Sequence, residues 1–350
     1  MPAVNFDILM RLDTSSYGVG IRKAAGDTTT YAKAAGEATT KTDLFGSSMR
    51  TLAGYLAGVG LFELGRQMLT LSADFDDSLT QINTLVGVSR EEIAGWRSEL
   101  LKLGPEVGKG PAELAKALYT ITGAGARGAE ALDVLTESAR ASSLGMGDTQ
   151  TVAKAVVAAL ESYGRSNLTA ADAVEILRNA VREGNADAAD LAPTLGQVTG
   201  LAANMGVSFG EVTAYIAKFS KTGGSASEAV TALRGTLAAL LDGSAPTREA
   251  LQGIGTSLDE VRKSIRERGL AATLIDLRER IGDNQTALGK LLPRVEAFAG
   301  LLNVISSDSG ADYLRTVEAV SKTTGDMAAV FDQVRASSPG QALRDLQAVS

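Results

Sequence analysis

Apolar residues return at helical spacing through most of this chain, and the pattern is clearest between Gly206 and Gly255. Val212, Tyr215, Ile216 and Phe219 fall at i, i+3, i+4 and i+7, and Val230, Leu233, Leu237, Leu240 and Leu241 carry the same rhythm further. Each set draws one apolar stripe on a helix. An S-x-x-E box opens each helix, Ser208 with Glu211 and Ser225 with Glu228. In such a box the hydroxyl takes a free N–H of the first turn, and the glutamate reaches back to the N–H of the capping residue. Lys221-Thr222-Gly223-Gly224 lies between the two helices, and glycine in a helix costs about 1 kcal/mol relative to alanine. The expectation is a helical hairpin, apolar face to apolar face.

The rest of the chain obeys the same logic, with one exception at the start. In VNFDILMRL, Val4, Phe6, Ile8, Met10 and Leu12 alternate with polar neighbours, Leu9 apart. That is a strand period, and no second strand is readable downstream. Residues 4–12 are therefore expected to be a short extended arm, lying on the helices or pairing with another subunit by edge addition. Residues 16–42 are Ala- and Thr-rich and read as a surface helix or connector. From Asp43, the residues Met49, Leu52, Leu56, Val59, Leu64, Met68 and Leu71 predict a long helix reaching about Leu85. Ser89 and Glu92 box the helix of Trp96, which Gly104-Pro105 is expected to stop after Leu103. Pro111 opens the next helix, with Leu114, Ala117, Leu118 and Ile121 as its stripe.

Helices are expected over 129–143, 148–163, 169–183 and 187–205, capped by Asp148, Thr169 and Asp187. The uncharged run 191–210 contains Pro193, Gln197 and Asn204 and reads as buried helix plus turn. Ser257 and Glu260 head a helix with Leu258, Val261 and Ile265. Leu270, Leu274, Leu277 and Ile281 form the next stripe. Leu288, Leu291, Leu292, Val295, Phe298, Ala299, Leu302 and Ile305 form the longest, kinked or restarted at Pro293. Helices near 310–322 and 325–336 come last. The reading is all-α: a multi-helix array of short consecutive helical hairpins with an N-terminal extended arm. Residues 1–45 are arm and connector, 46–306 a helical core, and 307–350 the C-terminal helices and the start of a linker.

Composition narrows the chemistry. Hydrophobic residues make up 45% and aromatic residues 5%, so small side chains build the core and helices can approach closely. There are 38 glycines against 7 prolines, and that excess breaks the chain into short helices. Cysteine and histidine are both absent. No disulfide can form, the usual zinc sites lose their ligands, and serine or cysteine triads lose their base. The net charge of −7 is spread among interleaved acids and bases, without a surface for phosphates. The start of the chain lacks the basic flank and apolar core of a secretion signal.

GAGARG at 123–128 lacks both a preceding strand and the P-loop pattern, and so reads as a turn. Arg262, Lys263, Arg266 and Arg268 alternate with Asp259, Glu260 and Glu267 and have no aromatic among them. They read as a solvated helix face, or as a docking patch for an acidic partner. Asp74, Asp76, Asp77, Asp187 and Asp190 fall where helix N-termini attract acids. The uncharged run 51–62 is shorter than the about 20 residues a membrane span needs, and Gly54 with Gly58 permits a close helix contact. No catalytic, cofactor-binding or metal-binding residue is predicted, and the chain is not expected to be an enzyme.

The order of the small motifs says more than any one of them. Gly206-Val207-Ser208, then Glu211, then Thr231-Ala232-Leu233-Arg234-Gly235-Thr236-Leu237, Leu240 and Ala250-Leu251-Gln252-Gly253-Ile254-Gly255 together resemble the core region of phage tail tape measure proteins. The resemblance runs back to Ala73-Asp74-Phe75-Asp76 and forward to about Ile305. It implies a structural protein of a phage, prophage or tail-like particle that sets tail tube length during assembly, occupies the tube lumen, and leaves with the DNA at ejection. The implied partners are the tail tube protein, tail assembly chaperones and baseplate hub or distal tail proteins. Self-association and transient host membrane contact are further partner expectations, and specific nucleic-acid binding is not expected.

The implied location is the virion tail lumen, and the host cytoplasm during assembly. The histidine-dependent peptidases that such proteins sometimes carry are excluded by composition. Two other readings stay open: a helical membrane-active or injected protein acting through 51–62, and a helical scaffold or adaptor unrelated to phage. Family members are usually longer, so a short version and a part of a longer chain both fit. The caps favour a folded bundle, whereas a ruler is extended.

Overall fold

A computed structural model of the chain describes residues 75–184, 188–282, 284–305, 310–325 and 327–337. The chain divides into Met1–Leu69 and Thr70–Ser350, and all described residues belong to the second unit. The arm at 4–12, the connector, the run 51–62, Asp74 and Asp187 lie outside the described residues. Those described are helical, with no strand among them.

Residues 75–81 are helical and pass into a π-turn, Ile82–Val86. Fifteen α-helices come next among the described residues: α1 Arg90–Val107, α2 Pro111–Gly123, α3 Gly128–Ser143, α4 Thr149–Tyr163, α5 Ala170–Glu183, α6 Ala188–Leu195, α7 Thr199–Asn204, α8 Phe209–Lys221, α9 Ala226–Asp242, α10 Ala245–Gly253, α11 Leu258–Ile281, α12 Gln285–Leu291, α13 Val295–Val304, α14 Ala311–Ser321 and α15 Met327–Ser337. The S-x-x-E boxes at Ser208, Ser225 and Ser257 all close in both directions. Asp148 and Thr169 cap α4 and α5, and Pro111 stands in the first turn of α2. The Ser89 box is only half made. Ser89 accepts from the Glu92 N–H, but the Glu92 carboxylate turns away to accept the Gly128 N–H at 3.0 Å, tying α1 to the start of α3.

Several expectations need correction. Gly104-Pro105 does not stop its helix. α1 continues to Val107 and ends at Gly108, whose left-handed backbone (φ 63°) turns the chain so that the Lys109 N–H reaches back to the Gly104 carbonyl at 3.0 Å. Proline in a last turn forfeits one amide bond, and the Schellman-like closure beyond it compensates. The helix expected over 187–205 is two, α6 and α7, separated at 196–198. Pro293 does restart its helix, leaving 292–294 non-helical between α12 and α13. Val295, counted in the apolar stripe there, is 77% exposed instead.

Consecutive pairing describes only the first part of the bundle, where α2, α3 and α4 are mutual neighbours. In the second part the chain folds back on its centre. α8 packs most extensively on α14 and α5, α9 on α13, and α10 on α12. The reason lies in α8: every residue from Phe209 to Ser220 is buried. A helix with no wet face must be covered on all sides, so its hairpin partner α9 is one cover among several, and face-to-face packing of the pair is not the main contact.

Small residues set the closest crossings. Gly235 faces Ala297, where an added Cβ would stand 3.0 Å from the alanine methyl. Gly300 faces Ala232 and the Tyr215 hydroxyl, and a Cβ there would overlap the Ala232 methyl and come within 2.6 Å of the hydroxyl. Five aromatics lie on or against α8. Tyr215 lies 6.5 Å from Phe219 and meets Tyr313 edge-on at 6.2 Å; Tyr163 lies 5.8 Å from Phe209. The Tyr215 and Tyr313 hydroxyls are fully enclosed without a hydrogen-bond partner, and burial pushes both phenols up. Beside them, buried Lys218 pairs with Asp312, joining α8 to α14.

This packing sets three expected outcomes. Gly300→Ala should lower unfolding free energy by about 2 kcal/mol, since overpacking a tight core forces neighbours to move; urea denaturation midpoints measure it. Tyr215→Phe removes a buried, unbonded hydroxyl and should raise stability by about 1 kcal/mol; a lower midpoint would contradict that arrangement. The hydrogen bond from Lys218 holds the Asp312 carboxyl below its ordinary value. A carboxyl whose pKa falls on folding stabilises the protein fully above its unfolded value of about 4, and the contribution disappears as pH drops through the folded value. Asp312→Asn should therefore flatten the acid limb of the stability curve below about pH 4 and leave its shape near neutrality alone.

Candidate functional site

The described residues hold two deeply buried carboxylates, and their surroundings decide what they do. Glu211, 7% exposed, lies in the first turn of α8. One oxygen accepts the Ser208 N–H at 3.2 Å and the Ser208 hydroxyl at 3.1 Å. The other accepts the Leu270 N–H at 2.6 Å and the Ala271 N–H at 3.3 Å. Those amides are free because α11 breaks at Gly269 (φ 87°, ψ 167°). One side chain thus caps two helix starts. The break makes α11 a hairpin of two arms: the Ser264 and Thr273 hydroxyls meet at 2.8 Å across it, and Arg280 reaches back to the Gly255 carbonyl at 3.4 Å.

Glu175, 2% exposed, does similar work from α5. Both its oxygens accept the Thr324 N–H, at 3.1 and 3.0 Å, and it also accepts the Thr324 hydroxyl at 2.8 Å and the Gly325 N–H at 2.9 Å. Asn179 donates to the Lys322 carbonyl at 3.0 Å. The connection between α14 and α15 is therefore held on α5. In both places the carboxylate oxygens are occupied by donors of the chain itself, an arrangement that satisfies a buried charge and leaves no lone pair aimed at a substrate.

The residues singled out from sequence are dispersed. Asp76 pairs with Arg97, and Asp190 is exposed on α6. The basic cluster near 262–268 is mainly a solvated helix face, with Lys263, Arg266, Glu267 and Arg268 exposed and Arg262 half-buried. Arg262 donates to the Leu240 and Leu241 carbonyls at the end of α9, the Arg266 stem packs against Gly206, and Arg268 reaches the Ala272 carbonyl at 3.2 Å. Lys263 stands 3.9 Å from Glu267. In the 123–128 turn, Arg127 folds back onto the Thr122 and Ala126 carbonyls. Among the described residues no three carboxylates lie close enough together to hold a metal ion.

A groove of about 550 Å³ runs between the α8–α9 joint and α13, past Phe219, Gly224, Glu228, Ala232, Val295 and Ala299. Glu228 is tied into its capping box, and the Ser225 N–H is the main cause that holds its carboxyl below the usual range. The second duties of Glu211 and Glu175 leave no signal in the sequence. Each joins segments far apart in the chain, and the only local hint is one glycine in RERGLAAT.

Comparison with known proteins places this arrangement. The family model for phage-related minor tail proteins matches residues 97–292, from α1 to the end of α12. The tape measure protein of Pneumococcus phage Dp-1 is 23% identical over 218 residues, covering 62% of this chain and 18% of that protein. A probable tape measure protein of Clostridium phage phiCD119 is 25% identical over 171 residues, 46% of this chain and again 18% of the relative. The chain thus corresponds to under a fifth of the length of these relatives. No solved structure matches it. With more than half its residues spanned by that model, and with the boxed helices α8 and α9 inside the match, the chain belongs to the phage-related minor tail protein family.

Proposed function

We propose that this chain is the folded core of a tape measure protein, which sets tail tube length during assembly, lies in the tube lumen and leaves with the DNA at ejection. The observation that carries the reading is the family match over α1–α12, joined to two relatives named as tape measure proteins. The build of the bundle supports it. No disulfide locks the helices together. Their closest crossings are Gly–Ala contacts, and left-handed glycines such as Gly87, Gly108, Gly223 and Gly243 form the joints. Small side chains bury little area each, and burial stabilises by about 25 cal/mol per Å². Such helices exchange neighbours for surrounding subunits at modest cost.

On this reading the chain contacts the tail tube protein, the tail assembly chaperones and the baseplate hub, and works without a covalent step, its buried carboxylates serving as helix caps. The match covers 18% of the length of each relative, so the ruler is a proposal about a whole tape measure protein and not about these residues alone. In-frame deletions of helical segments in the phage gene test it, with tail lengths measured by electron microscopy. Tails should shorten by about 1.5 Å for each helical residue removed. Tails of constant length across the deletion series would refute the ruler.

A further inference from the structure

We propose that Gly269 is an elbow, held bent by Glu211, about which α11 opens from a hairpin into one continuous helix. Both arms are helical up to the glycine on either side, and Gly269 is the single non-helical residue between Leu258 and Ile281. If it takes helical angles, the arms join into a rod of 24 residues, about 36 Å long. The change conserves backbone hydrogen bonds. In the bent form the Leu270 and Ala271 amides are taken by Glu211; in the straight form the same amides reach the carbonyls of Arg266 and Glu267, four residues back. The bent form is further fastened by the Ser264–Thr273 hydroxyl bond and by Arg280 on Gly255. In a rod, Ser264 and Thr273 would lie about 13.5 Å apart along the axis, so these fastenings and the rod exclude each other.

The latch senses the rest of the fold. Glu211 holds the elbow only while it also caps α8, so fraying of the α8 start releases both. Opening draws the later helices off the centre, above all α14, the most extensive neighbour of α8. At 100° per residue, Val261 and Ile265 end up on the opposite side of the rod from Leu270, Leu274, Leu277 and Ile281. A rod with apolar stripes on opposite sides requires partners, and the surfaces uncovered on α5, α8, α9 and α10 already fit one set of helices, α12–α15. A second copy of this chain supplies them, so the open form is a dimer that has exchanged its C-terminal helices, a common outcome of altered hinges. The elbow is a property of the fold and stands whether or not the chain works inside a tail. Within the proposed function, it is where a compact core begins to extend.

The chain has no cysteine, so spin labels can be placed at will. Asp259→Cys and Glu279→Cys put one on each arm, at positions exposed to solvent. Labelled full-length chains diluted into unlabelled ones are read by double electron–electron resonance, and mass by light scattering. Gly269→Ala disfavours the left-handed elbow, and its methyl would overlap the Glu211 carboxylate. Glu211→Gln keeps the shape but loses one pair of accepted bonds. The unchanged elbow should give one short distance. Gly269→Ala should give mainly a distance of about 30 Å, from 20 residues of straight helix, in a species of twice the mass. Glu211→Gln should add the long distance as a second, resolved population, since it loses one pair of charge-assisted bonds. If Gly269→Ala does not fold, Glu211→Gln decides. Short distances alone in the folded variants overturn the elbow, and a monomer with the long distance overturns the exchange.

Discussion

A helix with every side buried poses a problem at its ends, because the N–H groups of its first turn have no water to turn to. α8 is such a helix, and Glu211 answers the problem with a charge. A buried carboxylate is itself costly unless its oxygens are filled. Here four donors fill them, two from Ser208 and two from the second arm of α11. Filling the last two requires a helix start at the right place, and Gly269 provides it by breaking α11 where it does. The centre of the bundle and the bend of its longest helix are therefore one interaction. Its charge reaches further: burial raises the Tyr163 and Tyr313 phenols, and the Glu211 carboxylate adds to the effect on both.

The remaining packing grades away from this centre. Phe209, Tyr215, Phe219, Tyr163 and Tyr313, from a chain with only 15 Phe and Tyr residues, lie on or against α8. Elsewhere the core is mostly Ala, Val, Leu and Ile, with Phe75, Trp96 and Phe331 as its large side chains away from α8. Close crossings such as Gly235 on Ala297 fix geometry but contribute little area each. A core whose aromatics are densest around its central helix, with mostly smaller side chains around them, opens from its periphery first. That is the order a protein needs if it is to fold for assembly and later give its helices other neighbours.

Much of the fold is legible in the residues because caps and stripes are local. The three complete boxes, Asp148, Thr169 and Pro111 stand where the spacing puts them, and the restart at Pro293 is real. The failures are equally physical. Pro105 is tolerated because it falls in a last turn closed by Gly108, which spacing to Leu103 does not reveal. Val295 carries the right chemistry and register but sits at a helix start on an open groove. Within the basic run near 262–268, which is largely exposed as its pattern suggests, Arg262 is the exception, because its acceptors, the Leu240 and Leu241 carbonyls, belong to another helix. Nothing in an i, i+3 pattern reports that Glu211 also serves residues 59 and 60 positions on, or that Glu175 serves residues 149 and 150 positions on.

Those long connections bear on how far the family region is a folding unit. The match ends at Leu292, yet the helix that covers most of α8, α14, begins at Ala311. α13, the main neighbour of α9, also lies beyond the match. In this chain, then, the matched helices do not close their own core. The helices α13–α15 supply the closure, anchored at three points: Glu175 on the 324–325 turn, Lys218 on Asp312, and the Gly–Ala crossings of α13 on α9. A core completed by later chain, through a few polar ties and small-residue contacts, is one whose cover can be lifted without dismantling α1–α7. On the reading proposed above, such a fold is compact while the caps are made and open to new neighbours when they are not.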